Sequence, residues 1–154
     1  MDINEIIDPA SVIANLKPSS KKQLLQELAE AGADRTGIES HAIFECLLER
    51  EKLGSTGVGN GVAIPHAKLP GMDRMVGVFA RLNKPVAFEA VDDQPVDIVF
   101  MLLAPEGSGA DHLKALSRVA RILRNQSTLA SIRSATDPDA IYSLLTSMEN
   151  ASAA

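Results

Sequence analysis

Tryptophan is absent from this 154-residue chain, and aromatic residues make up only 3% of it. A surface that stacks single-stranded bases needs more rings than that. Basic runs are missing too, and the formal net charge is -5, so nucleic acid is not an expected partner. The one cysteine, Cys46, excludes an internal disulfide and fits a reducing compartment. It falls on an apolar helical stripe, where a buried thiol is expected. No apolar run approaches the roughly 18 residues needed to span a bilayer. Residues Met1 to Glu5 lack the charge and apolar core of a signal peptide. These absences point to a cytoplasmic protein without membrane insertion. Hydrophobic residues at 45% and charged residues at 23% describe an ordinary globule. Its length fits one domain with a self-sufficient core.

Helical spacing recurs along the chain. Ser20 and Gln23 have capping-box spacing before Leu24, Leu25 and Leu28, with Gly32 as the expected stop. A second helix is predicted from about Ser40, with Ile43, Phe44, Leu47 and Leu48 on one stripe. Three more close the sequence. One runs from about Asp111 to Arg124, and a short one surrounds Leu129 and Ile132. The last is capped by Asp137, starts at Pro138 and carries Ile141, Leu144, Leu145 and Met148. The tail from about residue 150 is expected to fray. Strands are predicted at Val62–Ile64, Met75–Ala80 and Val96–Ala104, with Lys84-Pro85 and Asp92 to Pro95 breaking the chain between the last two. Helices mixed with strands give an α/β or α+β sandwich with helices packed on a central sheet.

The segment from Gly54 to His66 is the most informative. Four glycines in eight residues let a backbone approach a ligand closely, and the short apolar run that follows delivers His66 just after Pro65. The P-loop requires Lys and a hydroxyl where Asn60 and Gly61 stand. The dinucleotide fingerprint requires glycine where Val62 or Ile64 stands. Both motifs lead into a helix, whereas this loop leads into a strand. With period two, Val62, Ile64 and His66 share a side. Pro65 holds Ile64 extended and ends the pairing capacity of the strand. His66 either caps a strand by bonding a carbonyl or serves as a nucleophile beside an anion-binding loop.

His112 precedes Leu116, Val119 and Leu123 by four, seven and eleven residues and shares their inward face. A helix N-terminus keeps an imidazole neutral, as a histidine nucleophile requires. The alternative is a core histidine satisfied by backbone. Arg50, just before the glycine loop, is either a planar clamp for phosphoryl oxygens or a solvated partner of Glu49 or Glu51. His41 has no companion chemistry and is expected on the surface. Zinc spacing and a nucleophile elbow are both missing, and Asp92-Asp93 has the look of a turn. No metal and no cofactor is expected.

Several of these segments resemble the fructose/mannitol-type enzyme IIA domains of the bacterial phosphoenolpyruvate-dependent phosphotransferase system. They are Glu51, Val58-Gly59 and Val62 to Ala67; the whole string from Arg50 to Gly61; His112-Leu113 with Leu116 and Val119-Ala120; and Val91-Asp92 with Gln94 to Asp97. The likeness runs from about Ile6 to Leu145. Ala67 stands where glycine is commonest, a change the signature tolerates. The resemblance implies a single domain over residues 1–154, with a central mixed β-sheet flanked by helices on both faces. It implies phosphorylation of His66 by a histidine-containing phosphocarrier protein, with His112 hydrogen-bonding the phosphoryl group and Arg50 at the site's edge. Nε2 of His66 is the expected attacking atom. Amides of Thr56, Gly57, Gly59, Asn60 and Gly61 are expected to hold the phosphoryl oxygens. The stand-alone length is most similar to the nitrogen-regulatory branch, whose phosphorylation state controls partner proteins. The alternatives are a sugar-specific component passing phosphate to a IIB domain, and an adaptor that is never phosphorylated.

Overall fold

Strand β6 (Val96–Pro105) is apolar on both sides because both sides are covered. The computed structural model describes the backbone of residues 2–153 and the side chains of residues 2–147. In β6, Ile98, Phe100, Leu102 and Ala104 face one core, while Val99, Met101 and Leu103 face the other, and all are fully buried. The other strands are β1 (Val12–Leu16), β2 (Gly57–Gly59), β3 (Val62–Ala63), β4 (His66–Leu69) and β5 (Val76–Val86). The sheet order is β1-β5-β6-β3-β2, and β4 also pairs with β6. Pairing is antiparallel between β5 and β6 and between β2 and β3, and parallel elsewhere, so the sheet is mixed.

Helices α1 (Lys21–Thr36) and α2 (Ser40–Lys52) cover one face. Helices α3 (Ala110–Arg124), α4 (Gln126–Ser134) and α5 (Pro138–Ala153) cover the other, together with Ile3, Ile6 and Ile7 from the N-terminal segment. This is the α/β architecture expected, with helices on both faces. The caps behave as their residue types require. The hydroxyl of Ser20 accepts the Gln23 amide at 3.1 Å, and the carboxylate of Asp137 accepts that of Ala140 at 2.8 Å. The side chains of Met148 and of the tail lie outside the described residues, while the backbone of α5 runs on to Ala153.

Two local expectations need correction, and one strand is additional. Gly32 does not stop α1. It lies inside the helix, where an added Cβ would sit 3.0 Å from Leu103 and 3.1 Å from Met101, so this glycine serves close helix–sheet packing. The stop is Gly37, in the left-handed region at φ 78°. Lys84-Pro85 does not break β5. The ladder with β6 is irregular between Arg81 and Val86, so the missing N–H of Pro85 is tolerated there. Finally, β1 was not expected, because Val12–Leu16 is short and only partly alternating.

Candidate functional site

The predicted strand through His66 is two strands. Val62 pairs with Ile98 and His66 with Leu102, so β3 and β4 keep one register against β6. Ile64-Pro65 interrupts them, because proline has no N–H to donate, although its carbonyl still accepts the Leu102 amide at 2.9 Å. Val62 and Ile64 pack into one core as period two requires, and His66 continues that side at the start of β4.

The two nitrogens of His66 have different partners. Arg50 donates its Nε–H to Nε2 at 3.1 Å. A guanidinium is always protonated and only donates, so Nε2 carries the lone pair. Nδ1 therefore carries the hydrogen and donates it to the Ile64 carbonyl at 2.9 Å. Half-burial is the main cause that lowers the proton affinity of His66, opposed by the Ile64 bond. The Arg50 charge lowers it further and that of Glu51 raises it, and the net shift is downward. The ring is a neutral imidazole with its lone pair on Nε2.

His112 enters from α3, on the opposite layer from Arg50. Its ring centroid lies 5.4 Å from that of His66, with the planes at 62°. It is 6% exposed, and its Nε2 is buried without a hydrogen-bond partner among the described residues. Burial lowers its proton affinity most, followed by His66 and Lys68. The residue lines the same cleft, and its Nε2 is a spare polar atom just beneath the surface. That cleft, about 580 Å³, is lined by His66, His112, Arg50, Lys68, Cys46 and the 85%-exposed Leu53, among others. Arg50 also donates to the Gly54 carbonyl at 2.9 Å, so it pairs with neither neighbouring glutamate in the way a solvated arginine would. Cys46 is partly exposed rather than buried. Burial, then Glu106, Glu45 and Glu49, push its thiol upward, which keeps it protonated. Lys68, not among the expected site residues, also lines the cleft, because it follows His66 by two residues and so shares its side.

The glycine segment is a hairpin. Asn60 at φ 58° and Gly61 at φ 79° turn between antiparallel β2 and β3, where an Asn-Gly pair is the favoured choice. Three of its amides have internal side-chain partners. Thr56 donates to Glu51 at 3.1 Å, Gly57 to the Ser55 hydroxyl at 3.1 Å and Asn60 to Asp92 at 3.1 Å. Arg133 clamps the tip, donating to the Asn60 carbonyl at 2.7 Å while forking onto Asp97. Thr56, Gly57, Gly59, Asn60 and Gly61 do not line the cleft. Only Thr56 bears on it, because its carbonyl accepts the Ile64 amide at 3.0 Å. Asp92 is the turn residue expected, and His41 is an exposed partner of Glu45 at 3.5 Å.

A sheet covered by helices on both faces, with an uncharged imidazole on one strand, an arginine on its lone pair and a second imidazole beside it, defines an α/β domain whose polar groups gather around one histidine in a cleft. The chain belongs to the phosphoenolpyruvate-dependent sugar phosphotransferase system EIIA 2 family, whose model matches residues 5–148. A nitrogen regulatory protein of Bradyrhizobium diazoefficiens is 56% identical over 145 residues, which are 94% of this chain and 95% of that protein. A fructose-specific EIIA component of Haloferax volcanii is 32% identical, covering 94% of this chain and 97% of that protein. The crystal structure of the nitrogen regulatory protein IIA-Ntr from Neisseria meningitidis superposes with a TM-score of 0.89 at 36% identity, covering 94% of this chain and 99% of that one.

Proposed function

We propose that His66 accepts a phosphoryl group from a histidine-containing phosphocarrier protein in the cytoplasm, and that its phosphorylation state is read by regulated partner proteins. The observation that carries this reading is the lone pair on Nε2 of a neutral ring at an open cleft. Nε2 forms the new N–P bond as the donor's N–P bond breaks, and the donor ring keeps the electron pair. Such transfer is a matter of positioning and charge stabilisation. Arg50 leaves Nε2 and turns to the equatorial oxygens, and His112 contributes its free Nε2, as an N–H, to the same oxygens. The product carries nearly two negative charges where a neutral ring stood, and a docking surface can discriminate the two. The regulatory role is favoured by the relative at 56% identity over the fructose-specific one at 32%.

The test is intact-mass measurement after incubation with phosphoenolpyruvate, the first enzyme of the system and the carrier. Wild type gains one acid-labile phosphoryl group and His66→Ala gains none. A phosphorylated His66→Ala chain assigns the acceptor role elsewhere, and an unmodified wild type leaves an adaptor.

A further inference from the structure

Glu51 lies near the end of α2 with its carboxylate inside the protein, and the chemistry given to His66 makes no use of it. It receives three donors. Oε1 accepts the Thr56 amide at 3.1 Å and the ammonium of Lys21 at 3.0 Å, and Oε2 accepts the Thr56 hydroxyl. Three donors on two oxygens call for the ionised, acceptor-only form. Thr56 is thereby fixed through both its backbone and its side chain. Its own carbonyl accepts the Ile64 amide, and the Ile64 carbonyl accepts Nδ1–H of His66. Because Pro65 follows, the peptide group that presents this carbonyl has no N–H with which to anchor itself. Its orientation depends on the Ile64 amide, and hence on Thr56.

We propose that Glu51 is a positioning residue: by clamping Thr56 it holds the Ile64 carbonyl against Nδ1 of His66, and so keeps the hydrogen off the nitrogen that attacks. Arg50 acts on the same ring from the Nε2 side, so the tautomer is fixed from both ends. The histidine is held as a metal-ligating histidine is held, by a carbonyl on its second nitrogen. The kinetic consequence rests on the phosphoryl-acceptor reading of His66, whereas the effect on the ring does not.

The experiment compares Glu51→Gln, Thr56→Val and Thr56→Ser, each in the wild-type and the Arg50→Met chain. NMR reads the tautomer of His66 and the solvent exchange of its Nδ1–H, urea unfolding reports the fold, and phosphate uptake from the carrier is timed. Glu51→Gln is expected to speed Nδ1–H exchange and to slow uptake, each on the order of 10-fold, as when a histidine loses its orienting partner. In the Arg50→Met chain it also yields a mixture of tautomers. Thr56→Val follows it in direction, and Thr56→Ser stays at the wild-type value. A folded Glu51→Gln chain with wild-type exchange and uptake overturns the proposal. Should Glu51→Gln not fold, Thr56→Val decides, and equality with Thr56→Ser overturns it. A wild type that takes no phosphate, yet whose Nδ1–H responds to Glu51→Gln, refutes the acceptor reading and keeps the clamp.

Discussion

Replacing Arg50 by methionine removes two opposed effects from one atom. In the resting cleft the Nε–H of Arg50 occupies the lone pair of His66 Nε2 at 3.1 Å. Breaking such a bond costs about 0.5–1.5 kcal/mol net, so its loss alone would speed attack by about 2- to 12-fold. In the proposed transfer the same guanidinium also faces the charge that builds up on the phosphoryl oxygens. Removing a preorganised donor of that kind costs about 2.7–4 kcal/mol, or roughly 10²- to 10³-fold. The second effect is larger, and Arg50→Met is expected to slow transfer on the order of 10- to 400-fold. Lysine should not restore the rate, because one ammonium cannot reach both His66 and the Gly54 carbonyl as the planar fork does. Burial is the main cause of the low proton affinity of His66, and the Arg50 charge adds to it. Without that charge the affinity rises, and the acid limb of the pH–rate profile moves to higher pH. The assay is single-turnover phosphate uptake followed by intact mass from about pH 5.5 to 8. An Arg50→Met chain that transfers as fast as wild type, with an unmoved acid limb, would show that Arg50 acts neither on the lone pair nor on the building charge, and would refute the reasoning.

Stability should fall on mild acidification. Both His66 and His112 hold protons less readily than the ordinary 6.5, so the unfolded chain binds protons that the native one refuses. Their stabilising share is full above the unfolded value and is lost as pH drops through 6.5 toward the native values. The steepest loss is about 1.4 kcal/mol per pH unit for each ring. Urea titrations at several pH values should give a flatter profile for His66→Gln/His112→Gln, and parallel profiles would contradict the assignment. Gly57→Ala places a methyl 2.7 Å from the Ala90 Cβ and 2.9 Å from its Cα, and is expected to cost about 1–3 kcal/mol as overpacking. An unchanged melting temperature would mean that β2 yields freely.

The parts legible in the sequence were those whose causes are local. Ser20, Asp137 and Pro138 announced helix starts because a cap acts within four residues. The continuous apolar run of β6 announced a doubly covered strand, and His66 and His112 stood out by their positions on periodic segments. Long-range causes stayed hidden. Gly32 reads as a stop because its neighbours across the space between helix and sheet, Leu103 and Met101, are distant in sequence. The glycine segment suggested an anion cradle because glycine spacing does not reveal where amides point. Asn60-Gly61 was itself a hairpin signal, and Asp92 and Glu51 take amides that a ligand would need. The tautomer of His66 was out of reach of any pattern, since it depends on a side chain 16 residues upstream.

Arg50 is carried by the helical layer on one side of the sheet, His112 by the layer on the other, and His66 by the strand between them. Bringing the three side chains together therefore requires both helical layers to be docked on the sheet. Loss of either layer strips an apolar face of β6 and parts His66 from Arg50 or from His112, so under the proposed function an incompletely assembled copy is silent rather than misleading.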